Sequence, residues 1–136
     1  MTPNVDDQRG AGLISTAAGV LVFLMFLLFA VQLLFGLYAS STITAVAHDA
    51  AQRAATADRP ALSVIEREAR ATLGRVGDDA TFVWSTEDSD GDGADDTVVL
   101  ALTATPPRFV PRSIGDATGF GEVRRTVRVR MEEFQA

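Results

Sequence analysis

The sequence predicts an α+β protein: one long N-terminal helix, one short helix and a small antiparallel sheet of about three strands. Three observations carry this. From Val20 to Leu37 the chain is apolar apart from Gln32. Beyond it, apolar residues recur at three- and four-residue steps as far as Pro60. From Thr81 onward the period changes to two.

The first element is long enough to cross a bilayer, which needs roughly 20 apolar residues. In hydrocarbon the backbone must satisfy its own hydrogen bonds, so the stretch is helical. A cleaved secretory signal fits poorly. Its apolar core runs about 7–15 residues after a basic start, whereas this core is longer and Asp6 and Asp7 oppose Arg9. Ala45-Val46-Ala47 has the small-residue form of a signal-peptidase site but lies far beyond Leu37. Arg9 precedes the span and Arg53 and Arg59 follow it, too few charges to fix orientation by the positive-inside rule. The size and acidic loop of the C-terminal part place it outside the cytoplasm, with the N-terminus cytoplasmic. Gln32 reads as a polar contact between neighbouring helices or as a single tolerated amide.

The helix is expected to continue from about Ala11 to Ala57. Ile43, Val46, Ala47, Ala50 and Ala54 form one stripe, with Asp49, Gln52 and Arg53 between them. Asp58-Arg59-Pro60 ends it, because proline disfavours helical geometry in the residue before it. A second helix is expected from Pro60 to Leu73, with Leu62, Ile65, Ala69 and Leu73 buried and Glu66 paired to Arg70 on the wet side. Gly74 and Gly77 stop it. Strands are expected at 81–85, 97–103 and 122–133. Phe82 and Trp84 share a strand face and read as core against a helix. Pro106, Pro107, Pro111, Gly115, Gly119 and Gly121 mark an irregular connection. The chain thus divides into a leader (1–10), a transmembrane helix (11–39), its extramembrane continuation (40–57) and an extracytoplasmic head (58–136).

Composition limits the function classes. The 136 residues carry a net charge of −6, which disfavours a nucleic-acid partner. There is no cysteine, so disulfides, thiolate metal sites and cysteine nucleophiles are excluded. His48 is the one histidine. Asp49 beside it lies on another helix face, so neither a zinc site nor a Ser-His-Asp arrangement is supported. Glu66/Glu68 and Glu132/Glu133 are neighbours in sequence only and diverge on a helix or strand. No residue constellation supports an enzyme.

Two charged features remain. Residues 88–96 read DSDGDGADD, so Asp88, Asp90, Asp92 and Asp96 alternate as in calcium loops, with Gly93 at the sharp turn. Val99 stands where an EF-hand has its bidentate Glu. The loop is either a weak extracellular calcium site or a solvated Asp/Gly turn; without a cation its carboxylates would repel one another. On the last strand, alternation gathers Arg124, Arg128 and Arg130 opposite Val123, Val127, Val129 and Met131. The stripe either docks an acidic partner or is a wet face paired with neighbouring carboxylates.

The leader Asp7-Gln8-Arg9-Gly10, the following LISTAAGVLVFLMFLLFAVQLLFGLYA and His48-Asp49-Ala50-Ala51-Gln52-Arg53-Ala54-Ala55 together resemble the TadE-like minor pilins of tight-adherence (Tad/Flp) systems, in their actinobacterial form. The resemblance covers about residues 7–75 and implies a pilin-like fold. It also implies a prepilin-peptidase cut between Gly10 and Ala11, and partners among other pilin subunits, inner-membrane pilus assembly proteins and membrane lipid. The family has Glu at the fifth mature position, whose carboxylate is thought to neutralise a neighbour's terminal amine. This chain has Ser15, which accepts a hydrogen bond but offsets no charge. That favours a minor or accessory component, with Ser15 and Gln32 as helix-packing residues. The competing reading is a membrane-tethered extracytoplasmic binding module with calcium in the acidic loop.

Overall fold

The computed structural model describes residues 5–107 and 121–131, with side chains from residue 12 onward. The order of elements is α1 (Val5–Ala55), α2 (Leu62–Leu73), a 3-10 turn (Gly74–Gly77), β1 (Thr81–Glu87), β2 (Thr97–Ala104) and β3 (Val123–Arg130). The chain separates into two compact units, residues 1–34 and 35–136.

The first unit is the earlier part of α1. Leu13, Ile14 and every large apolar residue from Val20 to Phe29 are exposed. Exposure all round the helix, with no polar face, is the pattern of a segment suited to lipid. Among the described residues α1 is the one helix long and apolar enough to cross a membrane. It runs unbroken through Gly10 and Ala11, so it begins before the expected Ala11 and stops at Ala55 rather than Ala57. Thr56 marks that stop: its hydroxyl donates back to the Arg53 carbonyl at 2.8 Å.

The second unit is the head. Ala39, Ile43, Val46, Ala47, Ala50, Ala51, Ala54 and Ala55 of α1 are buried, so the expected stripe is the core face, and small residues let other elements approach closely. The helix α2 adds Ile65, Ala69 and Leu73. It starts at Leu62 rather than Pro60. Ala61 has an extended ψ of 139° and its carbonyl accepts from Val64 and Ile65. Leu62 therefore opens the first turn and is 42% exposed, not buried as expected. The end of α2 is as the glycines require. Gly74 takes φ +59° and donates to the Ala71 and Arg70 carbonyls. At Gly77 an added Cβ would lie 2.5 Å from the Arg70 carbonyl oxygen.

The sheet has order β1-β2-β3, antiparallel throughout. The expected strand 122–133 is shorter, Val123–Arg130. Glu132, Glu133, Pro111, Gly115 and Gly119 lie outside the described residues. The register sets Trp84 opposite Leu100, Leu100 opposite Val127, and Leu102 between Phe82 and Arg125. One face thus carries Phe82, Trp84, Val98, Leu100, Leu102, Val127 and Val129, which join the α1 and α2 residues in a single core.

Candidate functional site

The acidic loop joins β1 to β2. Its geometry follows from Gly91 (φ +81°) and Gly93 (φ +91°), which fold the chain back over Asp88. Asp88 Oδ1 accepts from the Gly91 amide at 2.7 Å and Oδ2 from the Gly93 amide at 2.8 Å. Asp92 accepts from Ala94 at 2.8 Å, and Asp90 from Asp92 at 3.3 Å. Asp96 accepts from the Ser89 amide at 2.8 Å, the Ser89 hydroxyl at 2.7 Å and the Thr97 hydroxyl at 3.0 Å.

These bonds favour the ionised carboxylates. The amides of Gly93 and Gly91 hold Asp88 below the usual carboxylate range. The Ser89 hydroxyl and amide lower Asp96 from 3.8 to about 2, with Thr97 and Arg130 contributing.

A protein cation meets two of the loop's four candidate carboxylates. Arg130 Nη2 lies 3.2 Å from both Asp90 Oδ2 and Asp96 Oδ2. It arrives there because β3 is registered with Arg130 opposite Thr97, the first residue after the loop. Of the four expected calcium ligands, Asp88, Asp90 and Asp92 bring carboxylate oxygens within 4.8 Å of one another. Asp96 is not among them and faces Ser89, Thr97 and Arg130 instead.

The arginine stripe is largely matched by carboxylates. Arg128 Nε reaches Glu87 of β1 at 3.1 Å, and Arg124 lies 3.8 Å from Glu122. This is the wet-face alternative. Arg125, which the sequence reading left out of the stripe, shares the apolar face with Val123 and Val127 and reaches α1. Its Nε donates to Thr44 Oγ1 at 3.0 Å, Nη2 to Ser40 Oγ at 2.8 Å and Nη1 to the Arg124 carbonyl at 3.2 Å. Strand alternation was sufficient to find it, since 125 is odd like 123, 127 and 129.

The expected Glu66–Arg70 pair is not made. Both side chains turn to the sheet: Trp84 Nε1 donates to Glu66 Oε1 at 2.8 Å, while the Arg70 guanidinium sits 5.1 Å from the Phe82 ring centroid and donates to the Gly77 carbonyl at 3.1 Å. Arg53 bridges Asp49, at 3.1 Å, and Glu68 of α2. His48 is exposed beside Ser41 and Thr44 in a shallow hollow, with no hydrogen bond to either among the described residues. Of the two helix-packing candidates, Ser15 is exposed and Gln32 is buried. Gly10 and Ala11 both lie within α1. No family model matches the chain, and neither does any curated protein or solved structure.

Proposed function

We propose that the chain is a structural component, a TadE-like minor pilin or pseudopilin of a Tad-type pilus, anchored in the cell membrane through α1 with its head outside the cytoplasm. The carrying observation is α1 itself. One unbroken helix exposes every large apolar side chain from Val20 to Phe29 and supplies the core of the head from Ala39 onward. An element of that kind suits lateral packing with like helices, in the bilayer and then in a filament or at its base. Partners would be other pilin subunits and inner-membrane assembly proteins. The test is the mass of the protein from its native membrane beside a Gly10→Val variant. Loss of residues 1–10 in the wild type alone is expected. An intact start would move the assignment to a simple anchor.

The second reading, a membrane-tethered binding module, is favoured by the convergence of Asp88, Asp90 and Asp92. Calcium would occupy those three carboxylates. It would compete there with the amides of Gly91, Gly93 and Ala94 and with Arg130 for Asp90. Calorimetric titration of the full chain with calcium separates the readings: saturable binding that Asp88→Asn abolishes supports the module.

A further inference from the structure

We infer that the free edge of β1 pairs in parallel with the β3 edge of a second copy of this chain, so that heads join side by side in one direction. This goes beyond the proposed function, which puts the contacts between subunits in α1, and it does not depend on α1 crossing a membrane. β1 and β3 are the two edges of the sheet, each paired only with β2 among the described residues. β2 is buried along most of its length, whereas Thr81, Val83, Ser85, Thr86 and Glu87 of β1 and Arg124, Thr126, Arg128 and Arg130 of β3 are exposed. A free strand edge is a row of unpaired amides and carbonyls that another strand can complete. β1 lacks the devices that usually guard such an edge: it has no Lys, Arg or Pro, and Val83 is 56% exposed.

Topology sets the direction. β1 and β3 each run antiparallel to β2, so they run parallel to one another. A second copy displaced sideways without turning offers its β3 parallel to β1 and keeps its helices on the same face of the sheet. The rows of the other face then continue from copy to copy. Within one head, Thr103 joins Thr81 to Arg124, Ala101 joins Val83 to Thr126, and Thr97 joins Glu87 to Arg130. With the rows unstaggered, the second copy's Arg124, Thr126 and Arg130 come beside Thr81, Val83 and Glu87.

Charge selects this arrangement over the alternatives. Asp78 and Asp79 lead into β1, and Glu87 and Asp88 close it. Arg124 opens β3, 71% exposed with only Glu122 at 3.8 Å, and Arg128 and Arg130 close it. Parallel pairing of β1 with β3 sets acidic ends against basic ends. A two-fold pairing of β1 with β1 would instead set Asp78 and Asp79 beside Glu87 and Asp88, and one of β3 with β3 would set Arg124 beside Arg130. Like charges opposed across strands are destabilising. Glu87 already holds Arg128 within the head. Asp78 and Asp79 are exposed and make no ion pair among the described residues, so they and the second copy's Arg124 are the groups left to act between copies. Each head carries both edges, so the pairing repeats from copy to copy rather than closing as a dimer.

The experiment uses the full chain in detergent micelles, where the lack of native cysteine leaves only introduced thiols to react. Val83→Cys and Thr126→Cys variants are treated with a short bis-maleimide, alone and mixed, and the linked dimer is read on a denaturing gel. The mixture is expected to give dimer, and each variant alone to give little. Dimer from either variant alone at the level of the mixture would mean two-fold pairing or chance collision and overturn the inference, as would a mixture that gives none. Adding Arg124→Asp to the Thr126→Cys variant should lower the yield of the mixture roughly fivefold, the scale of one or two cross-strand charge pairs. Adding Asp78→Arg/Asp79→Arg to the Val83→Cys variant should then restore it. An unchanged yield at the first step, or no recovery at the second, overturns the inference too. Emission of Trp84, the one tryptophan, reports whether each variant is folded before mixing. If a charge variant unfolds, the cysteine mixtures carry the test by themselves. Leu37→Cys, at an exposed position of α1, is the control. Its dimer, with none from the Val83→Cys and Thr126→Cys mixture, overturns this inference alone and leaves lateral packing of α1 standing.

Discussion

Asp96 is held by three hydrogen bonds and an arginine, and its side chain is only 11% exposed. Its carboxyl falls from 3.8 to about 2 on folding. A carboxyl depressed in this way stabilises the fold fully above its unfolded value, and that contribution is lost as pH falls through the folded one. Thermal midpoints of the full chain in detergent should therefore drop between about pH 3.8 and 2, by less in Asp96→Asn than in the wild type. Gly77 is a second residue-scale constraint. Gly77→Ala would press a methyl group against the Arg70 carbonyl. It is expected to cost about 1–3 kcal/mol by urea unfolding, the usual range for an overpacked site. Gly77 was legible in the sequence as a helix stop. Its close approach to Arg70 was not, because that depends on how the turn folds back.

At the scale of elements, the clamp of α2 on β1 is the most specific contact. Trp84→Phe should cost about 1–2 kcal/mol through loss of its bond to Glu66. In a double-mutant cycle with Glu66→Ala that cost should fall by at least half; an unchanged cost would show the indole acting through packing alone. The sequence placed Glu66 and Arg70 on the wet side because helical spacing pairs them. The sheet wins because an indole N–H beside the core needs an acceptor, whereas an exposed i,i+4 pair contributes only about 0.2–0.5 kcal/mol. For α1, Ile43 is fully buried in the core. Ile43→Ala should cost about 2–5 kcal/mol, within the range for deleting a packed aliphatic side chain. Leu37→Ala, at an exposed position of the same helix, should leave head stability within about 0.5 kcal/mol. Urea melts followed by Trp84 emission distinguish the two.

At the scale of the molecule, α1 carries two kinds of surface. Its residues from Val20 to Phe29 expose large apolar side chains that water would not tolerate as a continuous surface, whereas those from Ala39 onward supply the core of the head. The full chain is therefore expected to remain in the membrane fraction through an alkaline wash. Replacing Leu24 and Leu27 together with Arg should release much of it, since each charge costs about 2.5–3.5 kcal/mol at a span centre. Retention of the double variant would point to a hold through the head instead.

Periodicity by itself determined the three kinds of element, the core face of α1 and the glycines that end α2, because these depend on contacts within a few residues. The tertiary structure alone decided where the long side chains go. Arg130 reaches Asp90 and Asp96, Arg125 reaches Ser40 and Thr44, and Trp84 finds Glu66. Each of these contacts joins residues 18 to 85 positions apart. They exist because strand register and helix packing bring distant segments together, and no local pattern in the chain encodes that register.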